Sequence, residues 1–139
     1  MDHILDNIYV GDLRAADDKT LLKENGITHI INCSDNAPIV FPNDFVYFHL
    51  KLKDDFEQDL EEAIKTAIEF ISSVPNNSAQ NILIHCIKGA SRSGSIMIAY
   101  LILIKKMSYE EALQYAISKR KVIKPNKNFE LQLKKLIIE

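Results

Sequence analysis

Tryptophan is absent from this chain of 139 residues, and cysteine, arginine, glycine and proline are scarce, at two, three, four and four residues. Each shortage excludes something. Two cysteines, Cys33 and Cys86, are too few for a disulfide framework or for a zinc site built from thiolates; separately, the chemistry read below calls for neither a metal nor a cofactor. The three arginines belong to 17 basic residues set against 19 acidic ones, a net charge of −2. That balance argues against a general nucleic-acid binder, whose domain is usually strongly basic. The few glycines and prolines form no linker and no low-complexity tract. Long apolar runs are missing too. The most apolar stretch, Ser95 to Ile104, stops at Lys105-Lys106; a bilayer needs about 20 residues, so this stretch reads as a buried core helix. The first residues, Met1-Asp2-His3-Ile4, lack the basic and apolar regions of a signal peptide and a glycine for myristoylation, and Leu136-Ile137-Ile138-Glu139 is no prenylation box. The expectation is a monomeric protein without a membrane anchor, placed in the cytoplasm with nuclear entry left open.

What is present suits one globular domain over 1–139, with 47% hydrophobic and 26% charged residues. Strands are expected at Ile8-Tyr9-Val10, Thr28 to Cys33, Val46 to Leu52 and Ile82-Leu83-Ile84, the last apolar throughout, as at the centre of a sheet. Asp17 to Asn25 reads as a helix, with Gly26 where a left-handed residue belongs. Asp59-Leu60-Glu61-Glu62 reads as a capping box, with Asp59 as N-cap. Behind it Leu60, Ala63, Ile64, Ala67, Ile68 and Ile71 share one helix face. Pro75-Asn76-Asn77-Ser78 breaks the chain. Ser108-Tyr109-Glu110-Glu111 is a second capping box, its helix ending near Lys119-Arg120, and Pro125-Asn126 precedes a last helix reaching Ile137. Strands alternating with helices predict an α/β fold: a central mixed, mostly parallel sheet of about five strands with helices on both faces, three layers in all.

The informative stretch runs from Ile82 to Gly94: a buried strand, the loop Cys86-Ile87-Lys88-Gly89-Ala90-Ser91, then a helix. Such a loop turns consecutive backbone N–H groups into one concavity, reinforced by the positive end of the helix. Arg92 adds a planar fork able to grip two phosphate oxygens. Cys86 opens the loop, so its sulfur falls at the floor of the concavity, where a helix N-terminus and a neighbouring cation favour a thiolate nucleophile. The scarce residues converge here: one of two cysteines, one of three arginines and two of four glycines, Gly89 and Gly94, lie within nine residues.

His85-Cys86, five residues, Arg92, Ser93 resembles the active-site loop of the protein tyrosine phosphatase superfamily, in the form of its dual-specificity branch. Ile4-Leu5-x-x-Ile8-Tyr9-Val10-Gly11, the stretch Leu21 to Asn32, Ala99-Tyr100-Leu101 and Arg120 to Leu133 are similar to further parts of that branch. The resemblance implies Cys86 as the nucleophile that forms a phosphocysteine. Arg92 binds phosphate together with the loop Ile87, Lys88, Gly89, Ala90, Ser91. Ser93 is the hydroxyl assisting thiolate departure, and His85 supports the cysteine by packing and hydrogen bonding. Lys88 departs from the branch, which has a small residue there, and Ser95 from its Thr or Ala.

Expelling the leaving group needs a proton donor, which the family takes from an Asp after a strand. The frame Leu52-x-Asp54-x-x-x-x-Asp59-Leu60 selects Asp54 as general acid, with Asp55 as the second candidate. Some superfamily members carry a strand-end cysteine that pairs reversibly with the nucleophile, which makes Cys33 a candidate redox partner and otherwise a buried apolar residue. The function implied is hydrolysis of phosphotyrosine and phosphoserine/threonine on a phosphoprotein partner. Two alternatives stay open. The same chemistry suits a phosphoinositide or an RNA 5′-phosphate if Lys51, Lys53, Lys88 and the cluster Lys119-Arg120-Lys121-Lys124 face the site rather than solvent. A phosphopeptide-binding module without turnover is the other.

Overall fold

The computed structural model describes residues 1–77 and 79–137. Ser78 and the last two positions of the chain lie outside the described residues. Five strands, β1 (Asp2–Leu5), β2 (Ile8–Gly11), β3 (Ile27–Asn32), β4 (Val46–His49) and β5 (Asn81–His85), form one sheet in the order β1-β2-β5-β3-β4. β1 pairs antiparallel with β2, and the other three pairings are parallel. The mixed, mostly parallel sheet is therefore as expected, with β5 and its apolar Ile82-Leu83-Ile84 at its centre.

Period-two alternation divides the side chains of the sheet between two cores. Ile82 and Ile84 of β5, with Ile31 of β3 and Val10 of β2, face the larger one. It is closed by α3 (Glu61–Ser73), α4 (Arg92–Leu103), α5 (Tyr109–Lys119) and α6 (Lys127–Lys134). Leu83 and Ile30 face the smaller one, under α1 (Leu13–Ala16) and α2 (Lys19–Glu24) with Phe45. α4 is buried along nearly its whole length, Ser93 to Ile102, as its uniform apolarity required. Among the described residues no helix is long and apolar enough to cross a membrane.

Several elements differ from the sequence expectation, each for a local reason. β1 and α1 were not anticipated. β1 buries only Ile4, so it carries no apolar pattern; a turn at Asp6 (φ +47) and Asn7 folds it onto β2. α1 is a single turn capped by Asp12, whose carboxylate accepts from the Ala15 N–H at 3.0 Å. The expected helix over 17–25 is α2, capped by Asp18 and followed by Gly26 at φ +67. The strand expected over 46–52 ends at His49. Lys51 kinks the chain at φ +56, while Leu50 and Leu52 still donate N–H groups to Asn32 and Cys33 carbonyls. The box at Asp59 does not form. Leu60, in helical backbone and without a side-chain cap, precedes α3, and Asp59 Oδ1 instead accepts the Glu61 N–H at 3.0 Å as a local turn. The box at Ser108 and Glu111 is complete. α4 starts three residues earlier than Ser95, and α6 stops at Lys134, short of Ile137.

Candidate active site

The loop after β5 lies at the carboxyl end of the central strand, where open α/β sheets place their ligand sites. Its geometry is set by where its carbonyls go. The Leu13 N–H donates to Ile87 O at 3.0 Å, and the Lys124 N–H to Ala90 O at 3.0 Å. Arg120 donates from Nη2 to Lys88 O at 3.2 Å and from Nε to Gly89 O at 3.0 Å. Ser91 O accepts both the N–H of Ser95, at 2.9 Å, and its hydroxyl, at 2.6 Å. Every carbonyl from Ile87 to Ser91 thus faces a donor in the surrounding protein. In a trans peptide the N–H points opposite to the C=O, and no peptide here is cis. The N–H groups of residues 88 to 92 consequently converge on the concavity. Gly89 makes the turn possible. Its φ of +67 suits glycine, and a Cβ there would stand 2.5 Å from Gly11 O.

The concavity is a cavity of about 230 Å³ lined by Asp54, Cys86, Ile87, Lys88, Ala90, Ser91 and Arg92. A larger cleft, about 640 Å³, lies away from the loop between α3, α4 and the end of α6, walled by Ile64, Ile68, Leu103 and Leu136. Cys86 is 2% exposed, and its Sγ lies 3.1 Å from Ser93 Oγ in the first turn of α4. Arg92 donates from Nη1 to Asp35 Oδ1 at 3.2 Å and to Leu52 O at 3.1 Å, while its Nε is buried without a partner among the described residues. A buried guanidinium N–H left unpaired beside a ring of inward N–H groups marks a place for an anion. His85 is buried, with Nδ1 3.4 Å from Cys86 O, and burial pushes its pKa down to about 4. At neutral pH it is therefore an uncharged imidazole.

The two candidate acids are separated by their surroundings. Asp55 Oδ1 accepts the N–H groups of Glu57 and Gln58 at 3.0 and 2.9 Å, closing its own turn. Asp54 lines the cavity instead, and its Oδ1 accepts Nδ2–H of Asn126 at 2.8 Å. Asn126 also caps α6 through Oδ1 and donates its own N–H to Ser91 Oγ at 2.9 Å. One side chain thereby ties the Asp54 segment to the anion loop. Cys33 follows β3, donates its N–H to His85 O at 2.8 Å and is a buried free thiol, as is Cys86. Burial, with the charge of Cys86 adding and Arg92 opposing, raises the Cys33 pKa well above the usual thiol range.

Of the sequence-selected residues, Cys86, Ile87, Lys88, Ala90, Ser91, Arg92 and Asp54 line one cavity. Ser93 and His85 sit behind it, and Gly89 shapes the loop without lining it. The basic cluster at 119–124 does not act as a unit: Arg120 is turned inward onto the loop, its side chain only 11% exposed. Asn126, Arg120 and Asp35 were not singled out as site residues. The sequence signals were the family-like stretch Arg120 to Leu133 for both Arg120 and Asn126 and, for Arg120, its place in the basic cluster.

Sheet and site together define an α/β/α fold with a cysteine at the floor of a cavity formed by the loop after β5. The dual specificity phosphatase catalytic-domain model matches residues 8–137, and the chain belongs to that family. It is 40% identical over 131 residues to Protein-tyrosine-phosphatase MKP1 of Arabidopsis thaliana, covering 94% of this chain and 17% of that protein. It is 35% identical over 129 residues to Dual specificity protein phosphatase 1 of the same plant, covering 93% and 65%. The solved structure of DUSP15 superposes with a TM-score of 0.88 at 28% identity, over 95% of this chain and 83% of that one. The chain thus spans less than two thirds of these two curated relatives.

Proposed function

We propose that this chain, as one catalytic domain over 1–139, hydrolyses phosphotyrosine and phosphoserine/threonine monoesters on proteins through a phosphocysteine intermediate. The observation that carries the reading is the loop itself: five inward N–H groups and the unpartnered Arg92 Nε surround the space above Cys86. A phosphoryl group seated there offers acceptors to all of them, and the charge that develops on its equatorial oxygens meets donors already in place. The Cys86 thiolate attacks phosphorus, the ester P–O bond breaks, and Asp54 gives its proton to the departing oxygen. Water then attacks the phosphocysteine, returning a proton to the Asp54 carboxylate. The S–P bond breaks with its electron pair on sulfur, and the Ser93 hydroxyl, 3.1 Å away, donates to the thiolate. His85, neutral and facing the Cys86 carbonyl, supports the loop without taking this proton. Cys33 is assigned as the redox partner of Cys86.

The partner is a phosphoprotein. The two free thiols fit a reducing, cytoplasmic setting, and the chain is taken to act as a monomer. A second reading keeps the chemistry and changes the substrate, because Lys88 lines the cavity and adds positive charge for a polyanion. A panel of aryl phosphate, phosphotyrosine and phosphothreonine peptides, a phosphoinositide and RNA 5′-triphosphate decides between them. Turnover of the peptides is expected, abolished in Cys86→Ser. In Asp54→Asn turnover is expected to fall by about 100-fold on leaving groups of high pKa, with tungstate still bound and with Asp55→Asn near normal. Turnover confined to the lipid or the RNA would establish the second reading. Binding without turnover of any substrate would leave only a recognition module.

A further inference from the structure

Two of the three arginines serve the anion loop, and they do so from opposite sides. Arg92 faces the cavity; Arg120 grips the loop from behind. Arg120 is the C-cap residue of α5, its backbone N–H bonded to Ala116 O. Its guanidinium leaves the helix and uses all three nitrogens. Nε and Nη2 donate to two successive loop carbonyls, Gly89 O and Lys88 O, at 3.0 and 3.2 Å. Nη1 donates to Asp2 Oδ2 of β1 at 2.8 Å. The fit is close: a Cβ on Gly89 would stand 2.5 Å from Arg120 Nη2. Asp2 precedes residues 8–137, the stretch matched by the family model, so this anchor of the clamp lies outside the matched stretch.

We propose that Arg120, held by Asp2, is a positioning residue that sets the anion affinity of the loop. The inference rests on the reading of that loop as a phosphate site. Arg120 does not touch the anion. By fixing the Lys88 and Gly89 carbonyls outward it fixes the Gly89 and Ala90 N–H groups inward, because each peptide unit is planar. The planar fork is needed for this. An ammonium group is a point donor that cannot span two successive carbonyls and a carboxylate in one geometry. Asp2 supplies the countercharge, so Arg120 acts through orientation rather than by attracting the anion. Loss of the clamp lets the two apical peptides rotate and spreads their N–H groups over many directions.

The test uses the full chain with Arg120→Met, Arg120→Lys and Asp2→Asn, reading the inhibition constant of tungstate, kcat and KM on an aryl phosphate, and the thermal midpoint. Arg120→Met keeps the length and apolar stem of the side chain. It is expected to weaken tungstate binding by about tenfold or more, with kcat/KM falling in parallel. Arg120→Lys is expected in between and Asp2→Asn a few-fold down, each folded by far-ultraviolet circular dichroism. Lower thermal midpoints with unchanged tungstate affinity would overturn the proposal and leave Arg120 a purely structural residue. Should Arg120→Met not fold, wild-type tungstate affinity in both Arg120→Lys and Asp2→Asn overturns it equally. Wild-type protein that binds no tungstate would instead overturn the phosphate-site reading itself, a result distinguishable from either.

Discussion

At the scale of single residues, His85 is a buried group whose charged form is penalised by burial. Its side chain is 2% exposed, and burial lowers its pKa from 6.5 to about 4. The unfolded chain therefore takes up a proton on this histidine before the folded one does. Stability is unaffected above about pH 6.5 and falls as the pH drops from there towards 4, by about 3 kcal/mol across the window. Urea unfolding at pH 7 and at pH 4.5 is expected to differ more in wild type than in His85→Gln, which has no titrating ring. Equal acid sensitivity in the two proteins, with His85→Asn behaving like His85→Gln, would remove His85 as the cause. What the sequence revealed at this scale follows chemical distinctiveness. Cys86, Arg92 and Ser93 stand at fixed offsets across one loop and the first turn of α4 and were legible. Asp54 was separable from Asp55 only by a frame, and the structure adds the physical difference: the Asp55 carboxylate closes its own turn while Asp54 lines the cavity. The hold of Arg120 and Asn126 on the loop was not legible, because each reaches it across more than 30 residues of chain.

At the scale of elements, β3 and β5 run parallel in register, Asn32 opposite His85, and both strand ends lead into cysteine. Cys33 and Cys86 come next in that register, and the Cys33 N–H still reaches His85 O. Neighbouring strands lie about 4.8 Å apart, inside the roughly 4.4–6.8 Å that a disulfide spans between Cα atoms, and both side chains belong to the same core. Hydrogen peroxide is expected to oxidise the Cys86 thiolate to a sulfenic acid, releasing hydroxide. Cys33 sulfur, after losing its proton, then attacks Cys86 sulfur and expels a second hydroxide, forming the disulfide and protecting the nucleophile from further oxidation. Because burial holds the Cys33 pKa well above the usual thiol range, the second step is expected to quicken as pH rises. Mass spectrometry of the oxidised, unreduced protein would find a loss of two hydrogens and a Cys33–Cys86 linked peptide. Sulfinic Cys86 beside a free Cys33 thiol refutes the pairing. Long or punctuated elements were legible: apolar β5, the buried α4, and α5 behind its Ser108 box. Short ones without an apolar pattern of their own were not. β1 buries one side chain of four and α1 is one turn, so both owe their shape to partners, β2 and the Ile87 carbonyl, that no local pattern names. At Asp59 the local pattern was overridden as well: its carboxylate accepts the Glu61 N–H, and the Leu60 N–H is held by Gln132 Oε1 at 2.8 Å, 72 residues away.

At the scale of the whole molecule, the loop is held by the fold rather than by itself. Its carbonyl donors come from α1, from the end of α5, from the segment after it and from α4, while Asn126 binds Ser91 from the start of α6. Releasing the loop's inward N–H groups therefore means breaking contacts on both faces of the sheet. The anion site is expected to persist until the domain melts and to be lost with it in one transition. An anion that binds only the folded chain stabilises it by RT ln(1 + [L]/Kd), about 2.7 kcal/mol at 100 times Kd, which for a domain of this size raises the thermal midpoint by about 10 °C. With five tyrosines and no tryptophan, tyrosine fluorescence reports the core, where Tyr100 of α4 is 8% exposed. Calorimetry with and without tungstate is expected to give a single peak that moves as a unit and coincides with the fluorescence change. Retention of the tyrosine signal at temperatures where tungstate no longer binds would mean that the loop opens on its own, and would refute its dependence on the surrounding fold. The opposite charges that leave the chain near neutrality do not argue against the proposed site, because the attraction for anions proposed there would come from oriented backbone dipoles and one arginine rather than from net charge.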